Sequence, residues 1–439
     1  MNTDDYNFIQ KSTFSTGKEM YSLMKSLFPI CRSITGNGVR ETLKIIQKYI
    51  PLTIHEIPTG TKAFDWTIPK EWNIDDGYIL DSNQNKIIDF KKSNLHVLNY
   101  SIPIDKKITF SELKEHIHTL PEQPDAIPYL TSYYNEEWGF CMSHNDFLKL
   151  SDEEYHVVIK STLEDGSLTY GEYYVKGKIQ DEFVLTCYVC HPSLCNDNLS
   201  GTVLITFIAK LLSKIKPYYS YRFLFIPETI GAIAWLSKNE SNIKKIKHGL
   251  VATCVGDPGD VTYKRSRHGN AEIDKAAEYV LKHIEKHSII DFFPSGSDER
   301  QFSSPGFNLP FGSLMRTIYG VFPEYHTSLD DLNFVKEEFL ADSFSKYIEI
   351  IFVIENNRKY LNTNPKCEPQ LGKRGLYRMI GGQKQDGSDE MALFWILNLS
   401  DGDNSLLDIS NKSGLKFDLI KTLSDKLLSV NLLEEKTND

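Results

Sequence analysis

The sequence has no long hydrophobic run. In this chain of 439 residues, no apolar stretch approaches the roughly 20 residues that a bilayer-spanning helix needs. The N-terminus, Met1-Asn2-Thr3-Asp4-Asp5, is acidic and polar, whereas a signal peptide begins with basic residues followed by an apolar core. We therefore expect neither a membrane partner nor an export signal.

Cysteine is scarce, and there is no excess of positive charge. The seven cysteines are odd in number and lack the spacing of a disulfide framework, which favours reduced thiols and a cytoplasmic location. The 49 Lys and Arg residues are outnumbered by 59 Asp and Glu, for a net charge of −10. This balance argues against wholesale binding to nucleic acid or to anionic membranes.

The length and the changing texture of the chain predict more than one domain. Residues 64–147 contain short alternating runs punctuated by proline and rich in Trp and Tyr, which is typical of a small β-rich domain. We predict that this domain is inserted into a discontinuous α/β domain of residues 1–63 and 148–362. Residues 366–439 are predicted to form a winged-helix-like C-terminal domain.

Strands and helices alternate between about residues 154 and 360. Near-continuous apolar strands separated by helices favour a mainly parallel sheet with helices on both faces, an α/β fold. The predicted strands are Glu182–Cys190, Tyr221–Pro227, Leu250–Gly256 and Ser313–Tyr319. The predicted helices are Ser200–Ile215, Gly231–Asn239, Ile273–Lys286 and Lys336–Ile354.

The C-terminal region has the pattern of a helix, a turn and a second helix. Leu406–Asn411 and Phe417–Val430 are the predicted helices, and Lys412-Ser413-Gly414 is the predicted turn. Residues 366–439 carry ten Lys and Arg and twelve Asp and Glu, a net charge of 10 − 12 = −2. Because phosphate contacts need positive charge, we expect packing or dimerisation here rather than DNA binding.

The loop after the first predicted strand, Glu182–Cys190, carries His191 and Asp197, six positions apart. Sites of open α/β sheets lie at the carboxyl ends of the strands, and imidazole with carboxylate is a ligand set that suits zinc. Glu228 follows the second predicted strand, Asp257 the third and His326 the fourth. Together they supply the groups of metal-assisted hydrolysis, in which zinc activates water and a carboxylate moves the proton.

At these residues the chain resembles the co-catalytic zinc aminopeptidases, which have a phosphorylase/hydrolase-like α/β fold. Asp197-Asn198-Leu199-Ser200-Gly201 is similar to their metal-binding Asp-Asn-x-Ser-Gly, and Glu228-Thr229-Ile230-Gly231 to the Glu-Glu-x-Gly whose first Glu is the general base. Ser297-Asp298 and Tyr325-His326-Thr327-Ser328-Leu329-Asp330 are similar to their Ser-Asp and Tyr-His-Thr-x-x-Asp, in which the His binds metal. The whole layout resembles a bacterial aminopeptidase-like family with an inserted small domain and a C-terminal winged helix.

Two departures from that pattern affect the implied site. His191 lies only six residues before Asp197, whereas the family's His-x-Asp element lies well upstream, and Thr229 stands where the resemblance implies a metal-binding Glu. With these departures, the resemblance implies one Zn²⁺ per chain. Its ligands would be His191, Asp197 and His326, with Glu228 as base. Asp257 matches a further carboxylate ligand and is a possible addition to this set.

These observations leave three functions open. The first is a zinc-dependent exopeptidase-like hydrolase, an aminopeptidase acting on peptides. The second is an amidohydrolase or deacylase that uses the same centre on a small non-peptide amide. The third is a non-catalytic scaffold whose C-terminal module binds a partner or nucleic acid; Thr229 favours it, and the intact His191, Asp197, Glu228 and His326 set opposes it. The sequence predicts neither the oligomeric state nor the natural substrate.

Overall fold

The structure is a computed structural model that describes residues 1–376 and 388–436. Residues 377–387 and 437–439 of the predicted C-terminal domain lie outside the described residues. The helices, in chain order, are α1 (Thr3–Leu27), α2 (Asn37–Ile46), α3 (Phe110–Leu113), α4 (His144–Phe147), α5 (Gly201–Leu212), α6 (Ile230–Asn239), α7 (Glu272–Leu281), α8 (Glu299–Phe302), α9 (Glu337–Asn356), α10 (Ser388–Leu399), α11 (Leu406–Ser413) and α12 (Phe417–Ser429).

The strands are distributed over one large sheet and several small ones. In chain order they are β1 (Thr53–Pro58), β2 (Lys62–Ala63), β3 (Trp66–Thr67), β4 (Glu71–Leu80), β5 (Lys86–Asp89), β6 (Ile104–Thr109), β7 (Ile117–His118), β8 (Phe140–Cys141), β9 (Glu154–Glu164), β10 (Ser167–Val175), β11 (Glu182–Tyr188), β12 (Ser220–Ile226), β13 (Ile246–Ala252), β14 (Val261–Lys264), β15 (His287–Ile290), β16 (Phe311–Met315), β17 (Lys359–Asn362), β18 (Asp401–Ser405) and β19 (Leu433–Glu435).

The chain divides into two compact units, and the larger one comprises Ser12–Asp274 and Ile284–Ser345. Its main sheet has the strand order β1-β10-β12-β11-β13-β16-β14-β15. The pairs β12–β11, β11–β13 and β13–β16 are parallel, so the predicted mainly parallel α/β core is confirmed. Every residue of β11 is buried, as the continuous apolar run of this strand predicts.

The edges of this sheet depart from the parallel pattern. β1 and β10 run antiparallel to their neighbours, and β14 runs antiparallel to β16. Only residues 253–260 separate β13 from β14. A parallel return needs a crossover of about a dozen residues or more, so a link of this length forces β14 to run in the opposite direction.

A four-stranded antiparallel sheet, in the order β5-β4-β9-β6, packs over its own apolar cluster in the larger unit. Ile79 of β4 and Val157 of β9 are fully buried there. Most of this sheet comes from the region where the proline-punctuated runs predict a β-rich domain, but β9 lies beyond residue 147. The boundaries 64–147 stay a prediction.

The smaller unit comprises Met1–Lys11, Lys275–His283 and Lys346–Asp439. Its C-terminal part carries the sheet β18-β17-β19 beside α10, α11 and α12. Ser405 and Asp408 form a capping box at the start of α11, and Gly414, with φ of 70°, ends that helix. The predicted helix, turn and helix are therefore confirmed. Among the described residues, no helix is both long and apolar enough to cross a bilayer.

The parallel pairs bring the carboxyl ends of β11, β12, β13 and β16 to one edge of the main sheet. The chain segments that carry the candidate site residues all begin at this edge, as expected for an open α/β sheet.

Candidate metal centre

The loop between β11 and α5 carries His191 and Asp197 into the interior. The His191 side chain is only 6% exposed and the Asp197 side chain is fully buried. The buried Arg32 fixes this loop, because its Nε donates to the His191 carbonyl at 2.7 Å and its Nη1 donates to the Leu27 carbonyl at 2.7 Å. The loop is therefore anchored by a residue 159 positions earlier in the chain, and the sequence did not predict this contact.

Asp197 is held in its ionised form. Its Oδ1 accepts a short hydrogen bond from the Tyr188 hydroxyl, and its Oδ2 lies 2.9 Å from Nε2 of His326. Burial raises the pKa of the Asp197 carboxyl, but the imidazoles of His191 and His326 and the Tyr188 hydroxyl outweigh burial and lower it to about 2. Asp197 is consequently a carboxylate at any physiological pH.

His326 approaches Asp197 from the segment that follows β16. Its ring stacks on Tyr325, with the centroids 4.0 Å apart, and lies 5.3 Å from the ring of His191. The backbone N–H of Tyr129 donates to the His326 carbonyl at 2.7 Å. Three separate chain segments thus meet at the candidate centre.

The ligand atoms of His191, Asp197 and His326 lie within 4.8 Å of one another. Asp197 Oδ2 and His326 Nε2 are both buried and lie 2.9 Å apart, and among the described residues neither has a further hydrogen-bond partner. Burying polar atoms with unused hydrogen-bonding capacity is unfavourable unless a ligand satisfies them. Two imidazoles and one carboxylate form a donor set that fits Zn²⁺, with one position left for a further ligand.

Glu228 follows β12 at the edge of this cluster. Its Oε2 lies 4.0 Å from Nε2 of His191, and a quarter of its side-chain surface is exposed. Burial raises the pKa of the Glu228 carboxyl well above its ordinary value, and the charges of Asp298 and Asp197 raise it further. Glu228 is therefore a carboxyl beside the cluster that is both reachable from outside and suited to accept a proton.

The structure does not bring Asp257 into this group. Its Oδ1 accepts from the Thr317 hydroxyl at 2.6 Å and from the Gly259 N–H at 2.7 Å. Its Oδ2 accepts from Asn196 Nδ2 at 3.0 Å, and its carboxyl also receives the Thr317 N–H. Asp257 is fully buried in these contacts, where it joins the metal-site loop to the end of β16.

Thr229, at the position where the family resemblance implies a metal-binding Glu, takes part in a different network. Its N–H donates to Asp298 Oδ1 at 2.7 Å, and its hydroxyl accepts from Arg300 Nη2 at 3.0 Å. Arg300 and Asp298 lie some seventy positions further along the chain, and no local pattern links them to Thr229.

Aromatic residues of the region 64–147 cover the imidazoles. The ring of Tyr129 lies 5.2 Å from that of His191 and 5.1 Å from that of His326, with its hydroxyl 3.0 Å from that of Tyr133.

Two family models match the chain. One is described as a domain of unknown function (DUF4910) and matches residues 21–357. The other is described as a winged helix-turn-helix and matches residues 358–435. The predicted C-terminal winged helix is thereby confirmed.

Curated and solved relatives extend over nearly the whole chain. A protein of Clostridium acetobutylicum, described as a "putative polysaccharide biosynthesis protein with aminopeptidase-like domain", is 62% identical over 428 residues, 97% of this chain and 98% of the relative. The crystal structure of a "putative peptidase" from Clostridium acetobutylicum has 59% identity and a TM-score of 0.94, and the match covers 99% of this chain and 100% of that one.

A more distant solved structure shares the fold alone. The zinc aminopeptidase BSAP from Bacillus subtilis is 12% identical, with a TM-score of 0.58 over 79% of this chain and 95% of that one. The resemblance to zinc aminopeptidases and to their α/β fold is therefore confirmed. The chain belongs to the DUF4910 family, and it joins an aminopeptidase-like fold to a C-terminal winged helix-turn-helix.

Proposed function

We propose that the protein is a zinc-dependent exopeptidase-like hydrolase, and specifically an aminopeptidase with one Zn²⁺ per chain. The metal ligands are His191, Asp197 and His326, and Glu228 is the general base. One observation carries the proposal: the ligand atoms of His191, Asp197 and His326, from two separate chain segments, lie within 4.8 Å of one another beside a carboxyl with a raised pKa.

The protonation states of the ligands favour metal binding. Burial lowers the pKa of the His191 imidazole to about 4, against a smaller opposite effect of Asp197. His191 is thus a neutral donor near pH 7, and Asp197 is already a carboxylate, so neither ligand must lose a proton. A zinc ion held by His191, Asp197 and His326 would supply Lewis-acid polarisation of the scissile carbonyl and would activate water for attack.

The chain's own contribution to the chemistry is proton transfer by Glu228. A general base works best when its pKa lies near the operating pH, and burial moves the Glu228 carboxyl in that direction. The Glu228 N–H donates to Cys190 Sγ at 3.3 Å, which fixes the backbone of the base beside the His191 loop. The partial exposure of the Glu228 side chain leaves it accessible to a substrate.

The surroundings favour a short peptide or amide over a folded protein as substrate. The ring of Tyr129 lies over both imidazoles and walls the site on that side, with its hydroxyl close to that of Tyr133. We infer cytoplasmic action from the seven free cysteines.

Substitution of the base tests this function. We expect zinc-loaded wild-type protein to release the amine from aminoacyl anilides, and Glu228→Gln to lose at least about 100-fold in kcat while its zinc content is unchanged. Glu240→Gln, at the C-terminal end of α6, is the matched control and should keep full activity. Retained activity in Glu228→Gln would remove it as the base. Cleavage of N-acyl amino acids in place of aminoacyl anilides would favour the amidohydrolase.

A further inference from the structure

Two buried acidic side chains lie beside Glu228 and outside the proposed ligand set. Asp298 is 1% exposed and Glu299 is fully buried. Glu299 has its own cation, because Lys264 Nζ donates to its Oε1 at 2.6 Å. The buried Asp298 and the partly exposed Glu228 remain, and two neighbouring carboxyls, one of them buried, are unfavourable without a compensating positive charge.

Arg300 is placed to supply that charge. Its Nη2 donates to the Thr229 hydroxyl, and the Thr229 N–H donates to Asp298, so Thr229 connects the guanidinium to the carboxyl. Burial raises the pKa of the Asp298 carboxyl, while the Thr229 N–H and the charge of Arg300 lower it. Arg300 thus acts on Asp298 in the same direction as a metal cation would.

The same contacts leave little opportunity for a second metal ion. The Thr229 hydroxyl already accepts from a cationic group, and a neutral hydroxyl is a weaker ligand for zinc than a carboxylate. A fixed guanidinium also repels a divalent cation at close range. Arg300 Nε is buried and has no hydrogen-bond partner among the described residues, so the guanidinium is not neutralised at that atom.

We propose that Arg300, held on the Thr229 hydroxyl, takes the place of a second metal cation in this site. Its positive charge limits the site to a single metal ion. Arg300 is a positioning residue that acts through Thr229 and Asp298. The inference rests on the proposed metal-dependent function, and it adds the reason for the metal count.

The test is the number of zinc ions bound per chain, measured in variants at Thr229 and Arg300. Purified variants are dialysed with excess Zn²⁺, gel-filtered, and their metal content is measured by plasma emission spectrometry. Wild type and Thr229→Glu should each hold one zinc, because in Thr229→Glu the new carboxylate pairs with Arg300. Thr229→Glu combined with Arg300→Gln should hold two.

The matched control is Thr229→Gln combined with Arg300→Gln, which has the same shape without the new charge and should hold one zinc. The inference is overturned if wild type or Thr229→Glu holds two zinc ions, or if the Thr229→Glu, Arg300→Gln variant holds only one. No zinc in wild type overturns the proposed function as well, so the two failures are distinguishable.

A milder pair of variants covers the case in which the double variant does not fold. In Co²⁺ titrations followed by visible absorption, Arg300→Gln should bind a second Co²⁺ at least about tenfold more tightly than wild type, since one repelling charge is removed. Arg300→Lys keeps the charge and should behave as wild type does. Equal second-site binding in wild type and Arg300→Gln would overturn the inference.

Discussion

The buried imidazole of His191 makes the stability of the metal-free protein depend on pH. Burial lowers its pKa to about 4 in the folded chain, against about 6.5 for an unperturbed histidine. Between these values the unfolded chain binds a proton that the folded chain does not. The contribution of His191 to stability is therefore fully present above pH 6.5 and is lost progressively as the pH falls towards 4.

The expected size of this effect follows from the shift. A pH of 5 lies about 1.5 units below the pKa of the histidine in the unfolded chain, and one unit corresponds to about 1.4 kcal/mol. Wild type should consequently lose about 2 kcal/mol of unfolding free energy from this residue between pH 7 and pH 5. A His191→Gln variant cannot take up the proton and should not lose this amount.

Urea unfolding of metal-free protein at the two pH values measures the difference. The quantity compared is the change in unfolding free energy from pH 7 to pH 5, wild type minus variant, because other titrating groups cancel in it. The exposed His268 is the matched control, and His268→Gln should reproduce the wild-type change. If His191→Gln loses as much stability as wild type does, the imidazole is not buried in its neutral form and the reasoning fails.

Three further predictions concern the metal ligands and their supports. His326→Ala should lose zinc, as measured by plasma emission, and unchanged zinc content would remove His326 from the ligand set. Tyr188→Phe deletes the hydrogen bond to Asp197 and should weaken zinc binding about 10- to 100-fold in a chelator competition; an unchanged Kd would show that the hydroxyl does not support the ligand. Asp257→Asn should keep one zinc, because the Asp257 oxygens are taken by Thr317 and other donors, whereas loss of zinc would return it to the ligands.

Local patterns were sufficient to predict the existence of the four central parallel strands, although β13 begins and ends four residues earlier than predicted, and the edge of the sheet where the site lies. His191, Glu228 and Asp257 each follow a buried apolar strand, and the parallel order of β11, β12 and β13 brings the ends of these strands together. Periodicity and turn residues also located the two helices on either side of Gly414. These features depend on neighbours along the chain, which a single sequence records.

The features that escaped prediction are contacts between distant residues. Asp257 lies in the loop after β13, as predicted, but Thr317, sixty positions away, donates to its Oδ1. The role of Tyr188 follows from its place at the end of β11, three residues before His191, and this spacing was the available signal. Arg32 and Arg300 have no such signal, because their partners, the His191 carbonyl and the Thr229 hydroxyl, become neighbours only through the fold.

The most direct test of the central claim is the metal content per chain of protein purified without a His-tag or chelator. The proposed mononuclear centre predicts about one zinc per chain in wild type and none in an Asp197→Ala variant that remains folded. Wild-type protein without zinc after incubation with the metal would contradict this account, as would an Asp197→Ala variant that retains its zinc.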